Sequence, residues 1–333
     1  MINKTKHKQN LINLYQMSFD DGIEYVNYFF DNFYKQKNCI NIYKNGKCVS
    51  ALHLVDKKIS FLGKSYKCPY IFAASTLKEF QNKGYFGKVL QKSLKKLYKR
   101  KVSLCALYPF EHSFYQKFGF ATICYVKNAV LNFYGEEIAP PSHSSFSVQY
   151  LLKIYNNYFK DFDVSIIRDI KEMQKKVDEC LICGGKICFF ENSYILYDKA
   201  GSETVLNSDI KLLNRIPDLN NLTVQTYSRN FDVPYTMTRI VNAKKLLKSI
   251  PYNCSDNSIK LKINDDFLKS NDVTLEIFIK EKKARVKECK EFDEKISISD
   301  LTKLVFGAYK KNEFSKKLTD IFPNKKTYLI DQI

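Results

Sequence analysis

Glycine is scarce in this chain, eleven among 333 residues, yet Gly84 and Gly87 stand three apart in the stretch "STLKEFQNKGYFGKVLQKSL". The stretch joins a strand-like run ending near Thr76 to a basic amphipathic helix. In that helix Val89, Leu90, Leu94, Leu97 and Tyr98 share one face, and lysines fill the other. A strand end, a glycine-bearing loop and a helix start are the parts of an anion site. First-turn N–H groups have no intrahelical partner, the helix dipole adds positive charge, and glycine removes the Cβ atoms that would hold an anion away. Lys83 and Lys88 add charge at the rim. An ordinary strand-to-helix turn with a left-handed glycine uses the same residues, and the loop is neither G-x-G-x-x-G nor a Walker sequence.

The neighbouring pattern narrows the fold. A helix is expected over 22–36, where Tyr25, Phe29 and Phe33 recur at helical spacing. A hairpin follows around Asn45-Gly46, and two more strands flank Gly63. After the basic helix come a short buried strand in "VSLCALYPF", a short helix in "EHSFYQKFGF", a turn at Gly119 and a further strand. Residues 138–149, rich in Pro and Ser, read as a linker. Helices in "YLLKIYNNYF" and "IKEMQKKVDECL" and two strands then repeat the order without the glycine loop. A last unit runs from "PYTMTRIVNAKKLL" through two strands to a helix in "SISDLTKLVFGAYKK". The expected units are 1–137, 138–232 and 233–333, in a mixed α+β fold.

Composition removes several classes of function. A chain that is 45% hydrophobic and 27% charged can bury a core and is not expected to be disordered. It has neither a signal-peptide pattern nor an apolar run of membrane-spanning length, so a cytoplasmic protein without a membrane partner is expected. The ten cysteines lie mostly in apolar runs, where a reduced thiol packs as a small hydrophobe. Cys180, Cys183 and Cys188 lack a well-spaced fourth ligand, and no metal is expected. A net charge of +19 invites nucleic acid, but only six of the 54 basic residues are arginine, and the lysines are spread along the chain. No nucleic-acid partner is expected.

Gln81-Asn82-Lys83-Gly84 fits the first four positions of the Q/R-x-x-G-x-G/A signature of the Gcn5-related N-acetyltransferase (GNAT) fold, and the chain resembles that family. Phe86 stands where the family has Gly or Ala, with Gly87 next to it. "LYPFEHSFYQKFGF" resembles the corresponding segment of the enhanced-intracellular-survival (Eis-like) branch. "TMTRIVNAKKLL", "SISDLTKLVFGAY" and "FPNKKTYLIDQI" resemble the start, last helix and tail of its third domain. The resemblance implies tandem GNAT-like domains, the second degenerate, followed by a sterol-carrier-like domain, in a homo-oligomer.

The same resemblance implies site residues and chemistry. Acetyl-CoA would be held by the backbone of Ala74, Ser75 and Thr76 and by the loop Gln81, Asn82, Lys83, Gly84, Tyr85, Phe86 and Gly87. Tyr115 would protonate the departing thiolate, and the main-chain carboxylate of Ile333 would take the proton of the amine. Glu111 and His112 are rival bases. Aminoglycosides and lysine side chains are the acceptors it suggests; Asp20, Asp21 and Glu24 could supply acidity for such a cation or form a solvated helix start. A non-catalytic CoA- or lipid-binding sensor is the other reading, resting on Phe86.

Overall fold

The computed structural model of the chain describes residues 4–134, 147–190, 192–199, 201–207, 209–252, 254 and 256–330. Helices α1 (Lys4–Gln16) and α2 (Ile23–Asn32) precede strands β1 (Cys39–Lys44), β2 (Lys47–Val55), β3 (Lys58–Phe61), β4 (Lys64–Lys67) and β5 (Tyr70–Thr76). Helix α3 (Tyr85–Lys99), β6 (Leu104–Leu107), α4 (His112–Gln116), β7 (Ala121–Thr122) and β8 (Tyr125–Val130) follow. The hairpin at Asn45-Gly46 forms as expected, both residues at positive φ, which matches the right-handed twist of β1 and β2.

A six-stranded sheet, β1-β2-β5-β6-β15-β7, carries the first unit; β15 (Met237–Ile240) reaches it from much later in the chain. Nearly all of β2 is buried because both faces are covered. Phe29, Phe30 and Tyr15 of α2 and α1 pack on one face with Val49, Ala51 and Val55. Val89, Leu90, Leu94 and Leu97 of α3 pack on the other with Leu52, Leu54 and Leu107.

The middle segment supplies α5 (Val148–Phe159), β9 (Val164–Ile166), α6 (Ile170–Ile182), β10 (Lys186–Phe190), β11 (Ser193–Tyr197), β12 (Ser202–Val205), β13 (Thr223–Tyr227) and β14 (Val233–Pro234). The last part supplies α7 (Ala243–Ser249), β16 (Asn257–Asn264), β17 (Val273–Lys280), β18 (Lys283–Glu288), β19 (Glu294–Ser297), α8 (Ile298–Phe306), α9 (Lys316–Ile321) and β20 (Thr327–Tyr328). Its four-stranded sheet, β18-β17-β16-β19, packs against α8.

Sheets run across the boundaries read at 137/138 and 232/233. Strand β15 lies between β6 and β7, β8 pairs with β13 and β14, and β3 joins β4 to β9 and β20. Between β15 and the last part lies a buried ion pair: Arg239 donates to both carboxylate oxygens of Asp265 (2.7 and 2.6 Å) and to the Phe118 carbonyl. Gly119 is left-handed (φ +80°), and a Cβ there would lie 1.7 Å from Arg239 Nη1, so both conformation and space require glycine.

Candidate active site

Strands β5 and β6 run parallel but pair only at Tyr70 and Ala106, where the Ala106 N–H donates to the Pro69 carbonyl (3.1 Å). Beyond that point, among the described residues, the β6-side edge of β5 is open. A bulge lies in the same stretch: Ser75 pairs with Ala51 and Phe72 with His53, leaving Ala73 and Ala74 opposite Leu52 alone. Ala73 takes a left-handed conformation (φ +45°) to make it. A bulge re-aims backbone groups, here those of Ala73 and Ala74, beside an edge that has no strand partner.

Past the bulge the strand resumes. The Leu77 N–H donates to Val49 C=O (3.0 Å), so alternation turns the N–H and C=O of Thr76 towards the open edge. Gln81 Nε2 donates to that Thr76 carbonyl (3.2 Å) and ties the loop to the strand end. Ser75 faces the other way, its carbonyl accepting from Ser50 Oγ (3.1 Å). In the loop, Asn82 (φ +58°) and Gly84 (φ +75°) are both left-handed.

Gly84 is the N-cap of α3, without a side-chain cap bond and with no acidic residue in the first turn. The N–H groups of Tyr85, Phe86 and Gly87 therefore have neither a capping side chain nor a carboxylate within their own turn. Lys83 donates to Glu79 C=O (2.8 Å), and Lys88 lies over the Tyr85 ring. A Cβ at Gly87 would meet only Phe118 Cε1, at an ordinary 3.7 Å; the fold itself does not demand glycine there. The Phe86 ring turns into an aromatic cluster with Phe114 (5.1 Å between centroids), Phe118 (5.5 Å) and Tyr115 (5.9 Å), joining the loop to α4.

Helix α4 is capped by Glu111, whose carboxylate accepts from the Ser113 N–H (3.0 Å). His112 pairs through Nε2 with the Tyr235 carbonyl (3.2 Å), and burial lowers its pKa. Both rival bases thus already serve the placement of α4. Tyr115 is buried, and burial pushes its phenol up to about 12. Its ring lies against Phe110, Phe114 and Phe120.

Tyr115, Ala73 and Ala74 line one cavity of about 940 Å³. Its wall carries six carboxylates, Asp20, Asp21, Glu24, Glu179, Asp198 and Glu203, against two lysines, Lys176 and Lys199. In a chain of net charge +19 this is a local inversion of sign. Several of the carboxylates are held in place. Asp21 accepts from Tyr15 Oη (2.6 Å), Glu179 from Tyr25 Oη (3.2 Å) and Lys176 (2.8 Å), and Glu203 from both Arg168 nitrogens. Eleven aromatic rings complete the wall, Tyr108 and Phe110 among the exposed ones.

Ser75, Thr76 and the loop Gln81–Gly87 lie outside this cavity, joined to it through β5 and the Phe86–Tyr115 contact. Ile333 lies outside the described residues. Ile330, three positions earlier, is buried in the cavity wall, its carbonyl accepting from Arg168 (3.2 Å), while Leu329 C=O accepts from Thr236 Oγ1 (2.5 Å). Glu179, Asp198 and Glu203 were not identifiable from sequence as site residues, since only the fold brings them to Asp20 and Glu24.

Cys180 and Cys188 are buried and Cys183 is exposed. Among the described residues no group of three His, Cys, Asp or Glu side chains could hold a metal, and no helix is long and apolar enough to cross a membrane.

Comparison with known proteins bears on the fold and its domains. The family model for the acetyltransferase (GNAT) domain matches residues 3–123, and that for the sterol carrier protein domain matches residues 243–328. A conserved protein of unknown function from Enterococcus faecalis V583 is 15% identical with a TM-score of 0.75, covering 99% of this chain and 98% of that one. A GCN5-related N-acetyltransferase from Anabaena variabilis ATCC 29413 is 15% identical with a TM-score of 0.74, covering 98% and 97%. Eis1 from Mycobacterium abscessus is 12% identical with a TM-score of 0.71, covering 99% and 97%. At these identities the likeness is one of fold. A search of curated proteins found no match.

Proposed function

The chain carries a GNAT acetyltransferase domain followed by a sterol carrier protein domain, and from that premise we propose that it transfers acetyl from acetyl-CoA directly to a primary amine on a polycationic acceptor. The observation that carries this reading is the meeting of Tyr115 and the Ala73–Ala74 bulge on the wall of an acid-lined cavity.

The donor's diphosphate lies on the N–H groups of Tyr85, Phe86 and Gly87, with Lys83 and Lys88 at the rim, and its pantetheine arm follows the open edge of β5 past Thr76, Ser75 and Ala74. Backbone N–H groups at the bulge polarise the thioester carbonyl. The amine nitrogen bonds to the carbonyl carbon and the C–S bond breaks. The thiolate takes the Tyr115 proton, and the nitrogen loses its proton to a base. The Ile333 carboxylate is the base we assign, because Ile330 already lies in the cavity wall. Carboxylates and aromatic rings around the cavity attract the acceptor's remaining charges. An aminoglycoside or a lysine-rich segment has this chemistry. The sensor reading rested on Phe86, whose ring packs on α4 instead of closing the loop.

The test is the thermal unfolding midpoint with acetyl-CoA, using ATP as the control for general phosphate attraction. At a concentration 100 times its dissociation constant, acetyl-CoA stabilises the folded state by about 2.7 kcal/mol. The expected result is a rise with acetyl-CoA and little with ATP. Equal shifts, or none, would refute the assigned donor site.

A further inference from the structure

Between Phe80 and Phe110 the chain has eight basic residues and no carboxylate. Lys88, Lys92, Lys95 and Lys99 fall at i, i+4, i+7 and i+11, one stripe along α3, and all four are exposed. Lys96, Arg100 and Lys101 flank its far end. None of the eight is in an ion pair among the described residues. Lys83, Lys96 and Arg100 are instead bound to backbone carbonyls, of Glu79 and Lys37, and for Lys96 and Arg100 this brings no countercharge.

A diphosphate at the start of α3 neutralises only that end. At a rise of about 1.5 Å per residue, Lys95 lies roughly 16 Å and Lys99 roughly 22 Å along the axis from Gly84. Uncompensated charge so far from the anion site fits an acidic surface lying along the helix. Stripe and loop are continuous, so one partner that carries a phosphate can occupy both.

We propose that this face docks an acidic acyl carrier protein, whose serine-linked 4′-phosphopantetheine places its phosphate at Gly84–Gly87 and its thioester along β5. The proposal rests on the reading that this loop takes the donor's phosphate. The transfer is unchanged in its balance. The acceptor nitrogen bonds to the acyl carbon, the C–S bond breaks, the pantetheine sulfur takes the Tyr115 proton and leaves on the carrier, and the base takes the amine proton. Nucleic acid suits the stripe less well, since Arg100 is the single planar, bidentate donor among its eight cations.

The test compares binding of a purified acidic acyl carrier protein, charged with acetyl-phosphopantetheine, to the full chain and to a Lys92→Glu, Lys95→Glu double variant. Fluorescence anisotropy is read at low and high salt, and acetyl-CoA binding is followed in parallel by thermal shift. The expected result is salt-sensitive carrier binding that weakens about tenfold or more in the variant, with the acetyl-CoA shift unchanged. Acetyl-CoA binding without carrier binding would overturn the carrier proposal alone, and so would carrier binding that ignores the double substitution. Binding of a single-stranded oligonucleotide, lost in the variant while the carrier fails to bind, would assign the face to nucleic acid. A wild type that binds neither acetyl-CoA nor the carrier would sink the donor-site reading itself.

Discussion

His53 lies fully enclosed in β2, edge-on to Phe29 and Phe30, and burial lowers its pKa to about 3. Its Nδ1 is buried without a hydrogen-bond partner, which suits a neutral ring and penalises a charged one. The unfolded ring protonates near pH 6.5 and the folded ring does not. The unfolded state therefore binds more protons below that pH, and stability falls as pH drops from about 6.5 towards 3. At full slope the loss is about 1.4 kcal/mol per pH unit. Urea midpoints between neutral and mildly acidic pH should show this limb, and His53→Phe should flatten it. Tyr115 has the opposite sign: burial raises its pKa to about 12 and keeps the phenol protonated at neutral pH. The tyrosine was legible in sequence only through the family segment around it. The bulge at Ala73 was not, because an alanine at positive φ has no sequence signature and is held there by pairing on either side.

At the scale of elements, α3 and its loop separate two roles for glycine. Gly84 is left-handed with open space around its missing Cβ, so Gly84→Ala pays only in backbone conformation, about 1–2 kcal/mol. Gly87 is helical with room for a methyl group, so Gly87→Ala should stabilise the protein by about 0.5–1 kcal/mol. The same methyl lies among the first-turn N–H groups and should weaken acetyl-CoA binding. Denaturant midpoints combined with acetyl-CoA titration separate the two effects, and Gly87→Ala with unweakened binding would count against the anion site. This element was legible in sequence because its signals are local: glycines, a strand end and an amphipathic period. Helix α1 was not, because its buried Leu11, Leu14 and Tyr15 sit among polar and basic neighbours and bury only through tertiary packing against β2, β5 and α2.

The whole molecule segregates charge: carboxylates line the cavity beside Tyr115, and lysines cover the outer face of α3, beyond the glycine loop. Asp20, Asp21 and Glu24 could be suspected in the sequence, but Glu179, Asp198 and Glu203 join them only through the packing of α6 and of β11 and β12 against the first unit. Such convergence is a property of tertiary structure, and net charge conceals it. The proposed reaction is amine acetylation with Tyr115 as the acid. Its most direct test is the steady-state release of CoA from acetyl-CoA with a triamine acceptor and, for comparison, a monoamine, in wild type and Tyr115→Phe. The expected result is a higher kcat/KM for the triamine, a loss of kcat of about 10²–10⁴-fold in Tyr115→Phe, and little change in the triamine KM. No amine-dependent release of CoA, or a Tyr115→Phe enzyme as fast as wild type, would contradict it.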